Sequence, residues 1–398
     1  MVMRIKNISE LKFRDPGSVI VFVTGVTGQD GSHMVDYLLK NTNYEIVGGA
    51  RRLSVENHVN IAHLENEPRF QLVNFDLTDG PSMYKLMDVA KPDYFINFAA
   101  QSFVHSSWDF ADQTSACNAQ GVLNCLRAIQ YVKPTCRFYN AGSSEEFGNV
   151  IYDPQDENHP PLPRSPYGSS KVAARQHVKV FRESYGMYAV QGWLFNHEGS
   201  RRGQEFVTRK ITKGVARIKK SVDSGQPFER ICLGNLDVKR DWSDAEDMVD
   251  AVWRMLNQDE YNSTLKKITD NISEYDGSPF SNTEDRFRKE IISNIKDYVV
   301  SSDENHTIRE FVEEAFRVAG FDGEWKGEGL NEMYWVFKNP HMDAPTLPVV
   351  EINSKFYRPA EVEVLRGNSS AIRKELGWKP KVGFKELVSK MIYNDLQK

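Results

Sequence analysis

The chain runs to 398 residues, enough for two domains, with an apolar share of 40% and a charged share of 26% that match an ordinary soluble protein. No apolar run approaches the roughly 20 residues of a membrane span, the N-terminal residues 1–17 are polar and charged rather than a signal sequence, and a net charge of -5 argues against general nucleic-acid binding. The first two of these features lead to an expected cytoplasmic location, and Cys117, Cys125, Cys136 and Cys232, with no Cys-x-x-Cys pair and no zinc-like spacing with histidine, are expected to be reduced thiols with no metal site.

Residues 1–17 read as a short surface extension without a motif. Ser18 to Thr24 is a continuous β-branched and aromatic run of strand length that leads straight into Gly25-Val-Thr27-Gly28-Gln29-Asp30-Gly31. Gly25 permits a tight turn, Gly28 lets the backbone approach a pyrophosphate, and Gly31 lets the following helix, His33 to Lys40, pack against the strand. Strand, glycines and helix in that order are a dinucleotide fingerprint of Gly-x-x-Gly-x-x-Gly spacing, with Gly25, Thr27, Gly28, Gln29, Asp30 and Gly31 as candidate cofactor contacts.

The next strand, Tyr44 to Gly49, ends in Ala50-Arg51-Arg52, where an NAD-preferring site would offer a carboxylate to the ribose 2′-hydroxyl. Two guanidinium groups suit a 2′-phosphate instead, so NADP is the expected cofactor. A third strand, Phe70 to Phe75, ends at Asp76-Leu77, whose carboxylate could accept from the adenine amino group. A fourth, Asp93 to Ala99, ends in Ala99-Ala100-Gln101-Ser102, where small residues leave room for cofactor. Helix signals at Ser82 to Val89 and Cys117 to Tyr131 alternate with the strands, giving an α/β fold with a Rossmann-type doubly wound parallel sheet.

A fifth strand, Arg137 to Ala141, delivers the stretch expected to carry the chemistry, Ser143 to Lys171. On a helix Tyr167 and Lys171 lie four residues apart on one face, where an ammonium favours the phenolate of a phenol whose ordinary pKa is about 10. Glu145, placed on an extended strand end, is expected to point to the same side as Ser143 and to supply a second proton-transfer group. By the same alternation Glu146 should face away from Glu145.

A sixth strand, Tyr188 to Phe195, ends in Asn196-His197-Glu198, followed by Arg201-Arg202-Gly203. Phe206 opens a basic amphipathic helix, and Ile231 to Trp242 is a strand with a charged loop whose arginines and glycine suit a diphosphate. Residues 258–299 are polar with few apolar anchors and read as an inserted surface segment with partial helix from Glu284 to Ile295. A strand at Asp297 to Ser301, a helix at Ile308 to Ala319 and a final helix from Gly383 close the chain. The expected domains are a Rossmann domain at 18–195, with returns at about 236–257 and 345–358, and a smaller substrate-binding domain at 196–235 and 300–398.

The glycine loop, Ser143 and the Tyr167/Lys171 pair resemble an extended short-chain dehydrogenase/reductase. More narrowly, Gly-Val-Thr-Gly-Gln-Asp-Gly-Ser (25–32), Arg-Ser-Pro-Tyr-Gly (164–168), Leu-Phe-Asn-His-Glu (194–198), Phe-Val-Thr-Arg-Lys-Ile (206–211), Leu-Gly-Asn-Leu-Asp (233–237), Lys-Arg-Asp-Trp (239–242) and Tyr-Arg-Pro (357–359) make nearly the whole chain similar to the GDP-mannose 4,6-dehydratases. The resemblance implies that Ser143 partners the sugar O4, Tyr167 removes its proton, Lys171 holds the nicotinamide ribose and Glu145 is the acid/base at C5 and C6. It implies that Asn196, Arg202, Arg240, Arg358 and Glu361 hold the nucleotide diphosphate half of GDP-mannose, with Ser102, Val207, Lys210, Gly234 and Asn235 as further substrate contacts. It also implies a homodimer through the helices Cys117 to Tyr131 and Pro166 to Tyr185, or a homotetramer. Asn60 stands near the place where the family's tetramer loop carries a further arginine.

Ser144-Glu145 in place of the Asp-Glu typical of the dTDP-glucose dehydratases favours a GDP-hexose. Two other readings stay open on the residues alone: a related epimerase or dehydratase on another GDP- or CDP-sugar, and a silent NADP- or sugar-nucleotide-binding module. A simple C4 epimerase needs no base at C5, so Glu145 speaks for dehydration.

Overall fold

Ile20–Thr24 forms the centre of an eight-stranded sheet whose order is Ile5–Lys6, Phe70–Asn74, Glu45–Ala50, Ile20–Thr24, Tyr94–Asn97, Arg137–Ala141, Ala189–Leu194 and Val299–Val300, every pair parallel. The strand order reverses on the two sides of Ile20–Thr24, which makes the carboxyl end of that strand the topological switch point. The computed structural model describes residues 3–15, 17–55, 57–273, 289–337, 346–356 and 364–397. They fall into two units: Met1–Leu194 with Ala245–Val300 and Asn368–Lys379, and Phe195–Asp244 with Ser301–Gly367 and Pro380–Lys398.

In the first unit helices cover both faces of the sheet, the arrangement that parallel crossovers impose. One face buries Val21, Val23, Met34, Leu38, Val252 and Trp378; the other buries Phe22, Phe95, Met83, Leu126, Phe138 and Val178. The helix Pro166–Tyr185 starts where local chemistry dictates. Ser165 accepts a hydrogen bond from the Gly168 amide at 3.0 Å, Pro166 occupies the first turn, and Gly186 at φ 63° ends the helix.

Three expectations are corrected. The N-terminal segment is not merely a surface extension: Ile5–Lys6 adds an edge strand beside Phe70–Asn74, and Ile8 and Leu11 are buried with Phe75, Met83 and Leu86. The segment 258–299 is not wholly a surface insertion, since Leu265, Ile292 and Ile295 join the first unit's core. Within it, helices span Gln258–Tyr261 and Ser263–Ser273, while 274–288 lie outside the described residues. The first return to the first unit overlaps the expected 236–257 from Ala245 on but continues to Val300, and the second is Asn368–Lys379 rather than 345–358. The reason is backbone pairing: Leu347–Ile352 bonds to Met333–Val336 and Ile231–Leu233 and so belongs to the other sheet.

The second unit sets that sheet, in the order Gly323–Lys326, Met333–Val336, Leu347–Ile352 and Ile231–Leu233, with the helices Val207–Asp223, Ile308–Val318 and Phe384–Leu396 around a core of Ile211, Val215, Phe311, Phe316, Leu387 and Met391. Among the described residues no helix is long and apolar enough to cross a membrane.

Candidate active site

The glycine loop leaves the central strand at Thr24, whose hydroxyl donates to Asn97 Oδ1 at 2.6 Å and accepts from the Ala99 amide at 3.1 Å. Gly25 sits at φ +64°, and a Cβ there would lie 2.8 Å from the Ala99 nitrogen. A Cβ on Gly31 would lie 2.4 Å from the Gly25 carbonyl oxygen, so both positions require glycine for close approach. The helix Gln29–Asn41 begins directly after Gly28 and presents its first amides at the switch point. Asn60 donates to the Thr27 carbonyl at 3.0 Å, which holds the loop from within the same chain.

Past the carboxyl ends of the neighbouring strands Glu45–Ala50 and Phe70–Asn74, Arg51, Arg52, Asp76, Asp79, Ser82 and Lys85 line a cavity of about 500 Å³. Both arginines are exposed, Leu77 is buried, and Asp76 Oδ1 accepts from the Thr78 amide and hydroxyl at 2.9 and 2.7 Å. Ala99 and Ala100 are half-buried at the next strand end, and Ser102 is exposed.

Ser143 follows the strand Arg137–Ala141, but the chain does not stay extended. Ser144–Glu146 is a 3₁₀ turn capped by Ser143, whose hydroxyl accepts from the Glu145 amide at 3.2 Å. The neighbourhood of Ser143 and Glu145 therefore comes from a tight turn, and strand alternation does not apply. Both are half-buried while Glu146 is fully buried, and Glu146 Oε1 accepts from the Ser143 amide at 2.9 Å. A Cβ on Gly168 would fall 2.6 Å from the Glu145 carbonyl oxygen, so a glycine next to Tyr167 is what lets the helix start approach the Glu145 turn.

Tyr167 is 8% exposed, and its amide donates to Ser107 Oγ at 3.3 Å. One helical turn on, Lys171 Nζ donates to the Ala141 carbonyl at 2.7 Å and lies 5.7 Å from the centre of the Tyr167 ring. Burial lowers the Lys171 pKa to about 8, against the opposing attraction of Glu146.

Much of the support was not anticipated. Glu146 pairs with Arg175, which also reaches the Gln191 carbonyl and Asp297. From Glu146 a buried line of side-chain amides crosses the sheet: Gln191 Nε2 donates to Glu146, Asn140 Nδ2 to Gln191, and Asn97 Nδ2 to Asn140, at 3.1, 2.6 and 2.7 Å. Asn118, in a π-helical turn at Ala116–Gln120, clamps Gln101 through both backbone groups and donates to Ser170. A signal was present: Asn97, Asn140 and Gln191 interrupt apolar strands, and buried amides demand partners.

On the second unit, Asn196 lies in the short strand Asn196–Glu198, paired with Trp242–Asp244. Arg202 forms an ion pair with Glu198 at 3.1 Å, and its guanidinium stacks 3.7 Å from the Phe206 ring centre. Val207 and Lys210 lie one turn apart on the helix Val207–Asp223. Lys210 Nζ sits 3.5 Å from the Phe356 ring centre with its pKa lowered by burial, and a Cβ on Gly234 would meet the Phe356 carbonyl oxygen at 2.6 Å. Asn235 accepts from the Asp237 amide, and Arg240 is buried in the strand Lys239–Arg240. Arg358 and Glu361 lie outside the described residues.

Residues 22–292 and 287–391 match the family described as GDP-mannose 4,6 dehydratase. The chain is also 39% identical over 391 residues to GDP-mannose 4,6 dehydratase of Drosophila melanogaster, covering 96% of this chain and 87% of that one. The chain belongs to the GDP-mannose 4,6-dehydratase family. The Homo sapiens relative of the same description is 37% identical over 390 residues, with 95% of this chain and 91% of that one covered. That of Vibrio cholerae serotype O1 is 36% identical over 389 residues, covering 95% and 94%. Among solved structures, the dTDP-glucose 4,6-dehydratase DesIV of Streptomyces venezuelae, with NAD and TYD bound, shares the fold at a TM-score of 0.71 and 18% identity, covering 94% of this chain and 96% of that one. UDP-glucose 4-epimerase of Thermotoga maritima does so at 0.69 and 19%, covering 94% and 98%. Membership in the dehydratase family extends over both units, from the central strand to the last helix.

Proposed function

We propose that this member of the family is an NADP-dependent GDP-mannose 4,6-dehydratase, a hydro-lyase that converts GDP-D-mannose to GDP-4-keto-6-deoxy-D-mannose. The observation that carries the reading is the gathering of Ser143, Glu145, Tyr167 and Lys171 on one turn and one helix start past the carboxyl end of a parallel sheet. The donor set fits the cofactor: glycines where a Cβ would block the loop, a helix N-terminus behind them, and Arg51 and Arg52 in the adjoining cavity for a 2′-phosphate. NADP, when bound, would supply the acceptor for the C4 hydride and the donor for C6, with no net change over a turnover.

The chain's own residues move the protons. Tyr167 takes the O4 proton, with the Lys171 ammonium favouring its phenolate and the Ser143 hydroxyl bonding O4. Oxidation at C4 makes the C5 proton acidic. Glu145 removes it and gives a proton to the departing C6 hydroxyl, which leaves as water. A solvent-derived proton then completes C5. Asn196, Arg202, Val207, Lys210, Gly234, Asn235 and Arg240 of the second unit, with Arg358 and Glu361, hold the GDP half, and Ser102 contacts the sugar. Deoxysugar nucleotide metabolism in the cytoplasm is the setting this chemistry implies. Exposed Tyr131, Val180 and Tyr185 support a homodimer through the helices that carry them.

The test is incubation with GDP-mannose and catalytic NADP in deuterated water. Loss of water, a new C6 methyl group and deuterium at C5 are expected by mass spectrometry and NMR. A C4 epimer without loss of water would make the chain an epimerase, and GDP-mannose left unchanged would point to a binding module.

A further inference from the structure

The geometry points to the N-terminal arm as a working wall of the cofactor cavity, with Lys6 as a third cation for the cofactor's 2′-phosphate beside Arg51 and Arg52. This inference rests on the NADP reading above and adds a residue that neither the motifs nor the family match brings forward.

The topology puts the arm there. Ile5–Lys6 runs parallel to Phe70–Asn74, with Lys6 opposite Val73, and Phe70–Asn74 runs parallel to Glu45–Ala50, with Asn74 opposite Ala50. Three adjacent strands therefore end at the same edge, delivering Lys6-Asn7, Asn74-Phe75-Asp76 and Arg51-Arg52 side by side. An edge strand paired antiparallel would have sent Asn7 to the opposite end of the sheet, away from any ligand. The cavity of about 500 Å³ is accordingly lined by Lys6, Asn7, Ile8 and Ser9 as well as by the two arginines.

The arm is also built to stay. Ile8 and Leu11 are buried against the helix Gly80–Ala90, and Gln71 ties both ends of the turn, accepting from Lys6 Nζ at 2.7 Å and donating to the Lys12 carbonyl at 2.6 Å. An ammonium has three donors, so the bond to Gln71 orients Lys6 and leaves two for a ligand. With Lys85, four cations and two carboxylates, Asp76 and Asp79, line this cavity, while Glu10, the other carboxylate near Lys6, is bonded by Arg4 and the Asn7 amide. That excess suits a phosphate dianion, and the carboxylate of Asp76 remains for the adenine.

Binding of adenosine 2′,5′-bisphosphate and of 5′-AMP to cofactor-stripped protein tests the inference without turnover. Wild type should bind the bisphosphate more tightly. Lys6→Gln should weaken it about 3- to 10-fold while leaving 5′-AMP within about 2-fold, and Lys6→Arg should restore it. Arg4→Gln, which removes a charge from the same arm at its Glu10 partner, should change neither ligand. Equal weakening of both ligands by Lys6→Gln, or no weakening of either, overturns the role of Lys6 with the NADP reading intact. A wild type with no preference for the bisphosphate overturns the NADP reading and this inference together. Thermal midpoints of the stripped variants within about 2 °C of wild type establish that the fold is the same in each arm of the test.

Discussion

The Glu146 carboxylate accepts from Arg175 Nε at 2.6 Å, with the two side chains 0% and 6% exposed, and the same carboxylate holds the amide of Ser143. A buried ion pair thus fixes the turn that presents Ser143 and Glu145. The pair has no chemistry of its own in the proposed reaction. Its partners are all within the fold: Gln191, the Ser143 amide and, through Arg175, Asp297.

Removing one member of such a pair leaves the other charge without compensation. Glu146→Ala should cost about 3 kcal/mol of stability, read as a shift in the denaturant midpoint, and should lower kcat as the turn loosens. Glu146→Gln, which retains an acceptor for the Ser143 amide, should keep more of the activity. Equal kcat in the two variants would show that the turn holds its shape without the carboxylate.

Tyr167→Phe and Glu145→Gln should each lower turnover at least 100-fold while the protein still binds NADPH, since the proposed reaction gives each of them a substrate proton to move. NADPH fluorescence titration separates chemistry from binding. Loss of the cofactor in either variant would count against these roles.

Arg51→Ala should weaken NADPH by more than 10-fold and NADH by less than about 2-fold, because only the former carries the 2′-phosphate that a guanidinium can bind bidentately. Parallel weakening of both would remove the basis for preferring NADP.

Lys171 titrates near 8 in the folded cofactor-free chain, below its ordinary value near 10.5, because burial disfavours the ammonium. Between those values the unfolded chain binds more protons, so stability rises as pH rises from 8 towards 10.5. Denaturation of wild type and Lys171→Met across that window should show the difference moving in favour of wild type by up to roughly 3 kcal/mol. A difference that stays flat would mean that the ammonium is not desolvated.

Much of this site was legible from local pattern because its parts are local. A strand, three spaced glycines and a helix follow one another in the chain, and so do the two arginines after the next strand and the tyrosine and lysine one helical turn apart. Each of these depends on backbone geometry along one continuous stretch of chain. The turn at Ser144–Glu146 reads as a strand end in the sequence, because the hydrogen bond that folds it, donated by the Ser143 amide to Glu146, is stabilised by Arg175, 29 residues on.

The sheet class was legible in the sequence alone, and the candidate reacting side chains were named from it, since hydrophobic period and turn chemistry act between near neighbours. Tertiary structure decided the rest. It set the N-terminal arm at the sheet edge beside the arginines, drew Leu265, Ile292 and Ile295 of the apparent insertion into the core, and gave Leu347–Ile352 to the second sheet. Strand pairing and burial are choices among partners distant in the chain, and nothing in a strand's own residues names the edge on which it will be paired.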